Sequence, residues 1–176
     1  FFTIKLSQKG SSYDAVAMVG THIPIISEES ESIPFSERKN WETYWLVDPL
    51  DGTKEFIAGV PEFTVNIALI QKRVPILGFV GIPCTQVVYV GEIGKGAYTF
   101  DANFKKNQIH VKKPEVQKPT FVISRSNGKE EITSVKKAFP NAELLQVGSS
   151  LKFLKIAEGK ADLYFRHEGI REWDTA

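Results

Sequence analysis

A change of rhythm near residue 114 constrains the fold more than any other feature of this chain. Before it, short apolar runs alternate with turns. Val65, Ile67 and Leu69 interleave with Asn66, Ala68 and Ile70, and further runs follow at residues 75–82, 86–90 and 96–100, separated by Gly, Pro and charged residues. Short strands with close turns predict an antiparallel meander. After Pro114 and Pro119 the pattern becomes strand, helix, strand, helix, strand. Residues 120–124 are β-rich, and 129–139 carry helix formers and stop at Pro140. Residues 143–147 read as a strand, 150–158 as a helix closed by Gly159, and 161–165 as another strand. Such alternation predicts an α/β layer. The chain thus divides into 1–113, an α+β part with an antiparallel sheet, and 114–176, an α/β part. Upstream, residues 23–26 read as a buried strand. Residues 1–6 fit a strand or the end of a helix, 8–12 a loop, and 13–19 a weakly periodic segment.

Composition narrows the function classes. The chain has 176 residues, 42% of them hydrophobic and 24% charged, with a net charge of +1. That balance suits an ordinary globular core. It argues against a nucleic-acid surface built on bulk charge, because the basic residues are scattered and clustered only in short pairs such as Lys105-Lys106, Lys112-Lys113 and Lys136-Lys137. One cysteine, Cys84, excludes an internal disulfide and fits a reducing, cytoplasmic compartment. No apolar run reaches the roughly 20 residues of a membrane helix. Nothing in the sequence signals an oligomeric state.

The chemistry concentrates in Trp45-Leu46-Val47-Asp48-Pro49-Leu50-Asp51-Gly52-Thr53-Lys54-Glu55-Phe56. An apolar run delivers two carboxylates three residues apart on a bend. Pro49 stiffens that bend and Gly52 lets the backbone approach a ligand. A bare Asp-Gly is usually only a tight turn. Here, however, Ser27-Glu28-Glu29-Ser30 lies upstream and Trp173-Asp174-Thr175-Ala176 downstream, giving four or five acids for one site. Mg²⁺ takes oxygen ligands in near-octahedral geometry. Asp48 can bridge two ions, the Leu50 carbonyl can face one and Asp51 the other. The amides of Gly52 and Thr53 can meet phosphate if a helix starts there.

These strings resemble the inositol-monophosphatase-like metal-dependent phosphatases. Asp48-Pro49-Leu50-Asp51-Gly52-Thr53 is similar to their Asp-Pro-x-Asp-Gly-Thr signature, Ser27-Glu28-Glu29 to their upstream acidic motif, and Trp173-Asp174-Thr175-Ala176 to their Trp-Asp-x-Ala motif. Within that superfamily, residues 23–176 most resemble the bacterial 3'(2'),5'-bisphosphate nucleotidase branch of the CysQ type. The strings that carry this are Tyr44-Trp45-Leu46-Val47-Asp48, residues 62–70, Ile123-Ser124-Arg125-Ser126 and Gly148-Ser149-Ser150-Leu151-Lys152-Phe153.

The resemblance implies an α/β (α+β) fold, a layered α/β/α/β/α sandwich of the sugar-phosphatase/inositol-monophosphatase type, incomplete at both ends. It implies Mg²⁺ as cofactor, two or three ions, and lithium sensitivity. Glu28, Asp48, Leu50, Asp51 and Asp174 are the implied metal ligands. Glu28, Asp48 and Thr53 are the implied catalytic residues, Glu28 and Thr53 orienting a water. Gly52, Thr53, Ser149, Lys152, Arg166 and Asp174 would touch substrate, and residues 124–126 would begin a wall beside the base. The implied substrate is a small molecule, adenosine 3',5'-bisphosphate, hydrolysed to AMP and phosphate in the cytoplasm, with peripheral association at the inner membrane face as a further expectation.

Plainer readings stand beside these. Glu29 suits a solvated neighbour better than a ligand, Asp174 could be a helix N-cap, Lys152 a surface lysine, and Arg166 a partner of Glu168. His22, His110 and His167 lack ligand spacing, and Trp41, Trp45 and Trp173 suit packing. The family's Thr-x-x-Asp element is missing before Glu28, where Asp14 is the only aspartate. A break in the chain between Leu6 and Asp14 is therefore expected. Rival functions are an inositol-phosphate or fructose-bisphosphate phosphatase, or a non-catalytic module that binds metal and nucleotide.

Overall fold

A computed structural model describes residues 2–9, 12–19, 22–125, 129–166 and 169–176, with side chains from residue 22 onward. Along the chain run β1 (Phe2–Lys9), β2 (Ser12–Val19), β3 (Ile25–Ser27), α1 (Phe35–Arg38), β4 (Thr43–Asp51), α2 (Thr53–Ile57), β5 (Thr64–Gln71), β6 (Val74–Ile82), β7 (Val87–Glu92), β8 (Gly96–Phe100), β9 (Lys106–Ile109), β10 (Thr120–Ser124), α3 (Lys129–Ala138), β11 (Glu143–Val147), α4 (Leu151–Ala157), β12 (Leu163–Tyr164) and α5 (Glu172–Thr175).

The expected meander forms one sheet of seven strands in the order β3-β4-β5-β6-β7-β8-β9. Its pairs are antiparallel except β3 with β4, which run parallel. The strand–helix alternation after residue 114 forms a parallel sheet in the order β11-β10-β12. Parallel neighbours need crossovers, and α3 and α4 supply them.

The core explains how the layers stack. One face of the large sheet carries Leu46, Ala68 and Ile70, which pack with Ile26, Trp41 and Trp173. Val80 shares that face, because Asn66 pairs with Val80 and Ala68 with Gly78. Val80, Val87 and Tyr89 join Leu151 and Leu154 of α4 and Val122 and Val147 of the small sheet in one cluster. Helix α4 is therefore sandwiched between the two sheets. Helix α3 covers the far side of the small sheet, where Phe121 meets Val135 and Ala142. The result is a mixed α+β fold with one large sheet and few helices. Trp41, Trp45 and Trp173 are packing residues, as their sequence setting suggests.

Three features depart from the sequence reading. Strand β9 is not foreshadowed by any apolar pattern, since Lys106-Asn107-Gln108-Ile109 is polar and sits on an exposed sheet edge where no alternation is required. Strand β12 shrinks to Leu163–Tyr164. Residues 8, 9 and 12, part of the expected loop 8–12, lie in strands, and the expected break between Leu6 and Asp14 falls on a stretch that lies partly outside the described residues. Strands β1 and β2 pair antiparallel from Phe2↔Val19 to Lys9↔Ser12, with Leu6 opposite Ala15; Gly10 and Ser11 lie outside the described residues. Among the described residues, no helix is long and apolar enough to cross a membrane.

Candidate metal centre and substrate cleft

The acidic end of the site begins with a register fault in β4. Asp48 pairs with Asn66 and Asp51 with Thr64, so Pro49 and Leu50 together face Val65 alone. In a regular strand, residues three apart point to opposite faces. One extra residue in a bulge cancels that offset. Pro49 has no N–H to give the ladder, so the fault falls where the chain could not have paired anyway. The bulge is closed by two local bonds: the Leu50 amide donates to Asp48 Oδ1 at 3.0 Å, and the Thr53 hydroxyl donates to the Leu50 carbonyl at 3.2 Å. Gly52 caps α2 at φ 89°. A side chain there would meet the Glu62 carbonyl and Ser149 Cβ, each 2.9 Å from its Cβ, so the loop needs glycine on both counts.

Two distant elements complete the cluster. Ser27 pairs with Val47, and the Glu28 amide donates to the Val47 carbonyl at 3.1 Å, which sets Glu28 beside Asp48. Trp173, packed against the Leu46 face, brings α5 over the strand ends. Carboxylate oxygens of Asp48, Asp51 and Asp174 then lie within 4.8 Å of one another. Glu28 stands outside that tight trio, on the exposed rim of the cleft. Asp174 is not the N-cap that its sequence position allows. Arg171 occupies that position, and Asp174, three residues on, accepts the Arg171 amide at 2.7 Å. Glu29 is exposed and does not line the cleft.

The cluster is electrostatically frustrated. Asp48 is 1% exposed, and its Oδ2 is buried without a hydrogen-bond partner. Burial first, then the neighbouring Asp51 carboxylate, push its pKa up to about 8. Burial likewise raises Glu28 and Asp174, and Asp51 repels both. An oxygen-seeking cation among these groups would satisfy Asp48 Oδ2 and remove the repulsion, so the donor set fits a hard divalent ion.

A cleft of about 360 Å³ runs from these acids past Gly52, Thr53 and Ser149 to Lys152 and Arg166. The far end is cationic. Lys152 is not the surface lysine that its helix position allows; it is 5% exposed, on the first turn of α4. Its ammonium donates to the Ser149 carbonyl and lies 5.7 Å from the Tyr164 ring. Burial holds its pKa down, against the raising influence of Asp51. Arg166 is half-buried at the same end. Glu168, the ion-pair partner that the sequence offers it, lies outside the described residues, as do His167 and Ser126. His22 and His110 are exposed.

The turn between β11 and α4 joins the two ends. The Ser149 hydroxyl donates to Asp51 Oδ2 at 2.7 Å, and the Ser150 amide donates to the same oxygen. Ser149 thus lines the cleft with its hydroxyl committed to Asp51. No local pattern signals this contact or the buried Thr64–Asn66–Ser150 cluster beneath it. Lys54, Glu55 and Arg171 also line the cleft, and their sequence settings do not single them out.

Fold and cleft together define a mixed α+β protein with a cluster of three carboxylates, Asp48, Asp51 and Asp174, beside a cleft. The chain belongs to the inositol monophosphatase family, a metal-dependent one, whose model matches residues 11–176. Among similar proteins, one named 3'(2'),5'-bisphosphate nucleotidase CysQ from Salmonella typhimurium is 45% identical over 154 residues, 88% of this chain and 61% of its own length. A protein of the same name from Buchnera aphidicola is 44% identical over 92% of this chain and 59% of its own. The solved structure of CysQ from Bacteroides thetaiotaomicron superimposes with a TM-score of 0.78 at 37% identity, covering 89% of this chain and 64% of that one. The chain spans about three fifths of the length of the curated relatives it matches.

Proposed function

We propose that this chain carries the cleft of a Mg²⁺-dependent 3'(2'),5'-bisphosphate nucleotidase that hydrolyses adenosine 3',5'-bisphosphate to AMP and phosphate. The observation that carries the reading is the burial of Lys152 at one end of a cleft whose other end gathers Asp48, Asp51 and Asp174. Burying an ammonium is costly unless an anion meets it. A substrate with two phosphates offers one to each end, whereas a sugar monophosphate leaves the buried cation unmatched. The names and identities of the relatives point the same way.

In this reading Asp48, Asp51, Asp174, Glu28 and the Leu50 carbonyl hold two or three Mg²⁺ ions. Bound there, such ions supply an acidified water and neutralise charge developing on the leaving ribose oxygen. Glu28 and Thr53 orient the attacking water, and Gly52 and Thr53 touch the phosphate to be cleaved. Lys152, Arg166 and Ser149 hold the end with the phosphate that stays, by charge-assisted hydrogen bonds. Residues 1–113 thus supply most of the metal site and residues 114–176 the substrate cations, with Asp174 reaching back. Lithium inhibition and a cytoplasmic location belong to the same reading. Peripheral membrane association finds no support in the described residues.

Phosphate release by the full-length protein, with Mg²⁺, from adenosine 3',5'-bisphosphate, an inositol monophosphate and fructose 1,6-bisphosphate tests the reading. Preference for the nucleotide is expected. Preference for either sugar phosphate overturns the substrate assignment, and binding without any release favours a non-catalytic module.

A further inference from the structure

The 148–150 turn is pinned from two sides. On one side Ser149 and Ser150 hold Asp51. On the other, Arg125 forks onto Glu62, with Nε donating to Oε2 at 2.7 Å and Nη2 to Oε1 at 2.6 Å. The same Oε2 accepts the Gly148 amide at 2.7 Å, and Arg125 Nη2 also donates to the Gln146 carbonyl at 3.3 Å. Glu62 precedes β5 of the large sheet, Arg125 follows β10, and Gly148 follows β11, so the pair stitches the two sheets together beside the cleft. Packing there leaves no slack. A Cβ on Gly148 would lie 2.8 Å from Glu55 Cγ and 3.1 Å from Glu62 Oε2.

An isolated surface ion pair contributes little. This one is bidentate, its carboxylate is only 19% exposed, and a backbone amide completes it. Those features give geometric definition rather than bulk stability. The guanidinium is also spent on Glu62 rather than left to face a nucleotide base.

We infer that Glu62 and Arg125 are a positioning pair. They set the 148–150 turn, and through it the placing of Asp51 and Lys152, so that cation affinity at one end of the cleft depends on the same contact as phosphate affinity at the other. The inference rests on the cleft reading given under Proposed function.

Its test uses Arg125→Lys, which keeps the charge and loses the fork, and Glu62→Gln, which keeps the shape, in the full-length protein. Mn²⁺ affinity is measured by electron paramagnetic resonance without nucleotide. Adenosine 3',5'-bisphosphate affinity is measured by calorimetry in EDTA, with circular dichroism confirming the fold at the working temperature. Partners behind metal ligands typically govern affinity by about ten- to a hundredfold. Losses of about tenfold in both affinities are expected for each variant, and the double variant should lose little more than either single one, because one contact is removed in all three. Mn²⁺ affinity within twofold of wild type in both variants overturns the inference. So does loss of bisphosphate affinity alone, which would make Arg125 a direct substrate contact. If wild type releases no phosphate from the bisphosphate, the functional reading falls while the Mn²⁺ measurements still decide this one. Absence of Mn²⁺ binding by wild type overturns both.

Discussion

The two ends of the cleft are assembled by different means. At the acidic end, Asp48 and Asp51 come from one strand, and a single inserted residue turns both to one side. At the cationic end, Lys152 comes from α4, just after a turn that hangs on Asp51 at the end of β4 and on Glu62 ahead of β5, and Arg166 comes from beyond β12. Each end is poised for a ligand of opposite charge. Carboxylates crowd the first until Asp48 is lifted to about 8, while burial and the nearby Arg166 hold the Lys152 ammonium down at the second. The difference teaches that a site can be half local chemistry and half tertiary assembly, with Asp51 the residue both halves share.

Removing the acidic end should cost most. Asp48→Asn takes away the charge that the whole cluster surrounds, and a loss on the order of 10³-fold in kcat/KM is expected from phosphate release with Mg²⁺. Activity above a tenth of wild type would show that the ends are less distinct than the geometry says. Lys152→Ala strikes the other end. Loss of a charge-assisted hydrogen bond costs about 1.5–3 kcal/mol, so about ten- to a hundredfold in kcat/KM for adenosine 3',5'-bisphosphate. A nucleoside monophosphate should lose far less; equal losses on both substrates would make the lysine structural.

The pH dependence of stability separates the ends without turnover. With a folded pKa near 8 against an ordinary 3.8, Asp48 keeps a proton in the folded protein that the unfolded chain has released. Where the folded state holds more protons, stability falls as pH rises. In EDTA the Tm should therefore decline from about pH 5 to about pH 8, and saturating Mg²⁺ should flatten that slope. A slope that Mg²⁺ leaves untouched would place the responsible group elsewhere. The smallest effect is expected from Glu172→Ala. It breaks the exposed 2.8 Å pair that Glu172 of α5 makes with Arg38 of α1, a contact worth about 0–1 kcal/mol. If Trp173 packing is what places Asp174, kcat should stay within about twofold of wild type at that cost.

Legibility from sequence follows the same division. The string from Asp48 to Thr53 is readable because its chemistry is contiguous, and β5 to β8 because apolar alternation needs only neighbours. Strand β9 escapes because an exposed edge asks nothing of Asn107 or Gln108. The environment of Lys152 escapes because an amphipathic turn looks alike on a surface and under a second sheet. Glu62 and Arg125 stand 63 residues apart, and no local pattern announces that one will hold the other. Asp174 is found by its motif, yet its place in α5, third rather than first, depends on a backbone turn that the string does not encode.

The fault at Pro49 and Leu50 also has a consequence for how this site tolerates change. Leu50 contributes through its backbone, so many side chains should serve there. Its removal would leave Asp48 and Asp51 two apart and still on one face, but would straighten the bend between them and take away the carbonyl that accepts the Thr53 hydroxyl. The information in this stretch lies in the path of the backbone more than in the spelling of position 50. A protein so built can drift in letters at position 50 across many generations, while one that loses a letter there keeps the facing of its two acids and loses the bend that spaces them.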